Sequence, residues 1–452
     1  MRLRRFLLRG LLVLLVLLVA GGIGGYWYER PLLLTGTGYA AHNACAVQTI
    51  AGRQDSDADL PPNPLVPYLR SGDARTDRPI RSSILGVLAT QRAFPSGAFG
   101  CTLAERSPDW PTPIVVDSAA NPLADAAAPT AAPAVADALA KAFGDDLSAD
   151  DRLALGARGI VALHDGQLIG ERYADGFSAE TPQLGWSMTK SVTNLMTGRL
   201  VAQDKIALTD DHLRPEWTDE RATITVDQLL RMTSGLSWDE TYSLGTPITR
   251  MLYTEPDMAG YVSSLPLTHA PGSYQQYSSG STNVLCAVLD ERAGDLGPNL
   301  PRQEILGPLG LASATFEADA AGTPVCSSYL WATPRDWATI GQFALQDGVW
   351  GGERLLPKGW MAASVTAQPV AESEEKGYAA GWWVNLQADG TLVQPLLPPD
   401  TYWAQGHDGQ RLYVVPSAKL VVARLGFSPG IDSADLRTVE LVRDLLAADL
   451  NS

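Results

Sequence analysis

The chain has little that would hold a metal ion and little that would hold a nucleic acid. Its five histidines are scattered, none at metal-ligand spacing, so neither a metal centre nor a cofactor is expected. Lysine and arginine total 34 against 50 acidic residues, and the net charge of -16 excludes the phosphate backbone as a partner. What is present is apolar: 45% hydrophobic residues over 452 positions suffice for one large core or two modest ones and exclude global disorder. Long apolar runs are scarce, and one near the start of the chain stands out.

That run is uncharged from Gly10 to Tyr28 and would span about 28 Å as a helix, close to a bilayer core. Arg2, Arg4, Arg5 and Arg9 precede it and Tyr26-Trp27-Tyr28 close it, as the positive-inside rule and an interfacial aromatic belt require. The expectation is a signal anchor over residues 1–30, tethered to the membrane, with the body extracytoplasmic (periplasmic). No clean A-x-A site follows the apolar core, and secretion after signal-peptide cleavage stays open as the alternative. Four cysteines suit an oxidising compartment. Cys45 and Cys101, both in a polar, Pro/Gly-rich segment, are expected to pair; Cys286, within Val284-Leu285-Cys286-Ala287-Val288-Leu289, reads as a buried free thiol, and Cys326 as either.

Residues 31–133 carry many prolines, glycines and charges and read as an irregular extension ending in a linker, Ala126-Ala127-Ala128-Pro129-Thr130-Ala131-Ala132-Pro133. The main domain is then 134–452. Ile160 to His164, Asp165-Gly166 and Gln167 to Tyr173 spell a hairpin with a type I′ turn. Thr225 to Gln228 has the capping-box form, and Thr333-Pro334-Arg335-Asp336 opens a helix whose Trp337, Ile340 and Phe343 belong to the core. Arg411 to Pro416 and Lys419 to Leu425 form a second hairpin, and Leu436 to Leu450 a last amphipathic helix. Strands at both ends with helices between predict an α+β fold: one antiparallel sheet from distant segments with flanking helices, and a helical lobe over 187 to about 370.

The chemistry centres on Gly185-Trp186-Ser187-Met188-Thr189-Lys190-Ser191-Val192. Apolar residues at 188, 192, 195 and 196 form one helical stripe, which sets Ser187 and Lys190 one turn apart. A serine hydroxyl becomes a nucleophile when a base takes its proton, and a lysine serves as that base when burial keeps it neutral. The same S-x-x-K spacing recurs by chance at Ser373-Glu374-Glu375-Lys376, an acidic, loop-like run where a lysine would stay solvated.

Two further stretches follow in order: Tyr277-Ser278-Ser279 in a tight loop before an apolar helix, and Gly406-His407-Asp408-Gly409-Gln410 before a terminal strand. The order S-x-x-K, Y-x-[N/S], H-x-G resembles the serine hydrolases related to class C β-lactamases and penicillin-binding proteins. Over roughly residues 150–450, with phrases such as Pro308-Leu309-Gly310-Leu311, the chain looks nearest to 6-aminohexanoate-dimer hydrolases and β-lactamase-like esterases. The resemblance implies a β-lactamase-like fold in which Ser187 forms the acyl-enzyme, Lys190 activates it and Tyr277 relays the proton. It also implies an oxyanion hole from the backbone N–H groups of Ser187 and Gln410, and contacts to substrate from Ser279, His407 and Gly409.

Ser279 stands where β-lactamases place asparagine, and His407 where they place lysine, so a fixed cation for a β-lactam carboxylate is missing. Cleavage of a simpler small ester or amide is therefore expected. A β-lactamase or D-alanyl-D-alanine carboxypeptidase is one alternative; a non-catalytic envelope-binding module is another. Tyr242, Trp331, Trp382, Tyr402 and Trp403 are candidates to line an acyl pocket, although large aromatics are more often structural. The oligomeric state stays open.

Overall fold

The computed structural model describes residues 2–73, 78–374, 376–431 and 436–448. A single helix runs Arg2–Thr49, passing through Pro31 rather than ending near it. The cause lies in the residues that follow. Thr35, Gly36, Thr37, Gly38, Ala40, Ala41, Ala44, Cys45 and Ala46 are all buried, and a Cβ on Gly38 would meet the Tyr253 carbonyl at 2.3 Å. The glycine-rich stretch that reads as irregular is a face of small residues that lets one backbone lie directly on another.

The rest of the extension is also more regular than its composition suggests. Strands Leu69–Ser71, Ile80–Ile84, Leu88–Pro95 and Cys101–Leu103 form an antiparallel meander in that order. Its longest strand turns only Ala89 and Ala93 fully inward, so no run of large apolar residues announces it. The meander packs on the N-terminal helix, and a disulfide between Cys45 and Cys101 joins the two.

The main domain is built on a six-stranded antiparallel sheet, ordered Trp383–Val384, Tyr402–Gln405, Arg411–Val415, Leu420–Gly426, Ala157–His164 and Gln167–Tyr173. Its alternation decides its two faces. Val161, Leu163, Leu412, Val414, Val421 and Ala423 enter one core, which includes Trp337, Ile340 and Phe343 of helix Pro334–Leu345. Ile160, Ala162, Tyr413, Val415, Leu420 and Val422 enter the other, under helices Pro133–Ala142 and Thr438–Ala447. The expected last helix thus occupies Thr438–Ala447, with Leu450 outside the described residues. Asp165 and Gly166 both have positive φ, as the type I′ turn requires, and both capping boxes form.

The helices between the sheet's two halves form the lobe. At its centre is Thr189–Ala202, whose Val192, Leu195, Met196 and Leu200 are fully buried. Helix Ser279–Ala293 packs against it. Here the reading of Cys286 as a free thiol is corrected: it is bonded to Cys326. Nothing local in an apolar helix reports that its thiol faces a loop 40 residues downstream.

Candidate active site

Ser187 sits in the tight turn Trp186–Met188 that feeds the buried helix Thr189–Ala202. Trp186 has φ +48°, a left-handed conformation that costs a bulky residue on the order of 1–2 kcal/mol. Packing over-determines it: the indole is held among Tyr39, Tyr242, Tyr329 and His407, with centroids 5.7–6.3 Å away. Gly185 before it has no room for a side chain, because a Cβ there would lie 2.0 Å from the Trp337 ring. Ser187 is thereby presented from a fixed corner.

Lys190 lies one turn on, 2% exposed. Its Nζ donates to Ser187 Oγ at 2.8 Å, Ser279 Oγ at 2.8 Å and the Ser327 carbonyl at 3.1 Å. Burial pulls its pKa down to about 8, partly opposed by the negative charge of Glu240. At neutral pH a useful fraction of this amine is therefore unprotonated and able to accept the serine proton. Its three acceptors fix where the lone pair points once a proton leaves.

Tyr277 completes the group. Its ring lies 4.8 Å from Lys190 Nζ, and its phenol faces the Ser187 hydroxyl. The ring stacks on Trp383 and meets Tyr378 edge-on. Burial, and then the neighbouring Tyr378 and Glu240, raise its pKa well above the ordinary value, so it stays a neutral phenol. A neutral phenol can donate or relay a proton, and a partly neutral amine can accept one.

Ser279 is brought to the site in a different role from the expected one. It is completely buried, accepting from Lys190 and donating to Glu240 Oε1 at 2.5 Å. Glu240, which the sequence reading missed, is held by the Ser279 N–H at 2.9 Å and by the Trp238 indole. One carboxylate among 50 acidic residues carries no local signal; its placement depends on a loop folding over the start of helix Ser279–Ala293.

His407 is half-buried, its ring 4.5 Å from Tyr242 and its Nδ1 2.8 Å from Asp408 Oδ1. Gly409 shapes the turn: its φ is +91°, its carbonyl accepts from the buried Arg424, and a Cβ would collide with that guanidinium at 2.4 Å. Gln410 turns its side chain inward, bonding the backbone of His407, Asp408 and Gly426. This corner lies directly against the nucleophile turn, since a Cβ on Gly406 would meet the Gly185 carbonyl at 2.1 Å.

Four of the proposed pocket aromatics are corrected. Trp331 is buried beneath the N-terminal helix, donating to Glu317. Trp382 is fully buried, donating to Asn194, and Tyr402 meets it edge-on. Trp403 stacks on Tyr413 within the second core, next to Trp383 on the neighbouring strand. In each case the backbone that carries the ring faces it into a core. Tyr242 remains beside the site, joined by Trp186, Tyr378 and Trp383. The second S-x-x-K is remote in chemistry: Ser373 is exposed, its hydroxyl on Gln275, and Glu375 lies outside the described residues.

Residues 137–441, two thirds of the chain, match the family described as Beta-lactamase. The chain belongs to the beta-lactamase family. It is a serine hydrolase of that superfamily, and the S-x-x-K, Y-x-S and H-x-G stretches all fall inside the matched span. Among relatives, the 6-aminohexanoate-dimer hydrolase of Paenarthrobacter ureafaciens is 23% identical over 308 residues, 61% of this chain and 73% of that protein. Among solved structures, the hydrolase EstCE1, described as having promiscuous acyltransferase activity, aligns with TM-score 0.56 at 19% identity, over 70% of this chain and 99% of that one. A penicillin-binding protein homolog from Caulobacter crescentus gives 0.55 at 16%, over 70% and 98%. These structural likenesses carry the beta-lactamase fold. The family match begins at residue 137, so the N-terminal helix and the meander lie outside the matched span.

Proposed function

We propose that the protein is a membrane-tethered, extracytoplasmic serine hydrolase that cleaves small ester or amide bonds. The observation that carries the reading is the buried Lys190 amine, its pKa near 8, bonded to Ser187. Ser187 Oγ attacks the substrate carbonyl and passes its proton to Lys190. Tyr277 gives its proton to the departing alcohol or amine and is recharged from Lys190, leaving an acyl-enzyme. Water then enters, the same groups run in reverse, and the acid leaves. The developing oxyanion is received by the N–H groups of Ser187 and Gln410, whose two turns are in backbone contact.

The acyl or leaving group meets Tyr242, Trp186 and His407 on one side and Tyr277, Tyr378 and Trp383 on the other. This aromatic environment, with the acidic Asp408 beside His407, favours neutral substrates over carboxylate-bearing β-lactams. The tether reading is supported by a stretch of the N-terminal helix with mean hydropathy 2.6, none of it buried. It is long and apolar enough to cross a membrane. The experiment that tests the function is a screen of the purified full chain against p-nitrophenyl esters of graded length, a linear amide dimer and a β-lactam, with fluorophosphonate labelling in parallel. Failure of every substrate and of labelling would sink the reading in favour of a binding module.

A further inference from the structure

The turn joining strands Ile80–Ile84 and Leu88–Pro95 places its large apolar side chains in solvent. Leu85, Val87 and Leu88 are 59%, 76% and 38% exposed. Leu85 and Gly86 both have positive φ, and for leucine that left-handed backbone is costly, here in a conformation that throws the side chain outward. The Leu85 N–H is bonded to the carbonyl of Tyr68, itself half-exposed. An apolar group gathered at a loop tip marks a contact surface rather than scatter.

Its position says what covers it. The Ala89 N–H donates to the Tyr26 hydroxyl at 3.1 Å, and the Thr37 hydroxyl donates to the Ala89 carbonyl at 2.6 Å, so the turn is fastened alongside the N-terminal helix. Tyr26 belongs to the aromatic triplet that closes the uncharged run, and at 1.5 Å per residue it lies about 6 Å to the apolar side of Arg30. The hairpin tip therefore sits level with the aromatic belt. Beside it a groove of about 970 Å³ carries Arg30, Arg92 and Arg106, a basic patch on a protein of net charge -16. Of the two acids on that groove, Glu105 and Glu255, the second is paired with Arg250.

We infer that the 84–88 turn is a second membrane contact: Leu85, Val87 and Leu88 enter the interfacial zone of the bilayer beside the N-terminal helix, with Arg30, Arg92 and Arg106 facing anionic phospholipid headgroups. The inference rests on the proposed membrane span. Two contacts at different distances from the helix axis fix the tilt of the catalytic domain, where a helix alone leaves it free to rotate.

The test uses the full chain in vesicles of phosphatidylcholine and phosphatidylglycerol. All four cysteines are paired, so Val87→Cys supplies a single thiol for an environment-sensitive fluorophore. The control is Leu153→Cys, 80% exposed on helix Ala149–Leu155 of the main domain. Lipid spin-labelled near the headgroup end of the acyl chain should quench position 87 several-fold more than position 153; equal quenching overturns the inference. Omitting phosphatidylglycerol should weaken that difference about twofold, and indifference to it removes the arginines from the scheme. Alkaline carbonate extraction tests the span separately. Protein retained with position 87 unquenched keeps the span and rejects the second contact. Protein released after showing quenching at 87 rejects the span and keeps the contact, and protein that never joins the vesicles rejects both.

Discussion

The Tyr39 ring, in the helix that begins at Arg2, meets the Trp186 ring edge-on, with 6.2 Å between centroids and 78° between planes. Tyr39 also stacks on Tyr253 at 4.9 Å. A residue outside the family's span thus supports the strained residue next to the nucleophile. Tyr39→Ala is expected to destabilise the protein by about 3 kcal/mol through the lost ring and the cavity it leaves. It should also slow fluorophosphonate labelling at temperatures where the variant is fully folded, and Tyr39→Phe should restore both. A variant that melts early but labels at the normal rate would confine Tyr39 to stability.

Ser187→Ala should abolish labelling and turnover while the circular dichroism spectrum and Tm hold, and Ser373→Ala should leave all of these unchanged. Retained turnover in Ser187→Ala would remove the acyl-enzyme from the mechanism.

The activity should depend on the neutral form of Lys190. With its pKa near 8, kcat/KM for an ester should fall about tenfold per unit as pH drops below that value. Glu240 raises the lysine pKa through its charge, so Glu240→Gln, which keeps an acceptor for Ser279, should move this acidic limb to lower pH. A limb that does not move would take Glu240 out of the electrostatics of the site.

The same shift is a statement about stability. The folded pKa of Lys190 lies below its unfolded value of 10.5, so between about pH 8 and 10.5 the unfolded chain binds the extra proton and stability rises with pH. Below pH 8 the full penalty stands, about 3 kcal/mol. Lys190→Met should therefore melt several degrees higher than the parent at pH 7, with the gain shrinking as pH climbs through that window. A gain independent of pH would point to packing instead.

Neutral esters should exceed carboxylate-bearing β-lactams in kcat/KM by about a hundredfold, the worth of one missing ion pair in a partly desolvated pocket. His407→Lys should narrow that gap from the β-lactam side. Ser279→Asn should lower the rate with both substrates, because Ser279 is buried between Lys190 and Glu240 rather than open to substrate. A parent enzyme that prefers the β-lactam would reverse the specificity assignment.

What could be read in advance was local. The Asp165-Gly166 hairpin, the Thr225 and Thr333 caps and the Ser187–Lys190 spacing each lie within one turn or one strand pair, where sequence distance is spatial distance. Glu240, the Cys286–Cys326 bond and the ring cage around Trp186 join segments far apart, and no periodicity reports them. The N-terminal helix continues past Pro31 for another reason: Gly36 and Gly38 are breakers in isolation and packing surfaces here, Gly36 against Leu65 and Gly38 against Tyr253. Trp331 and Trp382 were placed at the substrate on residue type alone, which does not say which face of an element looks inward.

The order of strands in the central sheet also sets when the enzyme can come into being. Ala157–His164 has the hairpin partner Gln167–Tyr173 at once, but its other edge waits for Leu420–Gly426, the last strand among the described residues. A chain ending just after Gln410 would carry every residue assigned to the chemistry and still lack the strand that joins the sheet's halves. Pairing across such a separation is slow, because loop closure precedes the contacts that reward it. During synthesis the open edge is a template for aggregation, and activity arrives in one step near the end rather than accumulating with length.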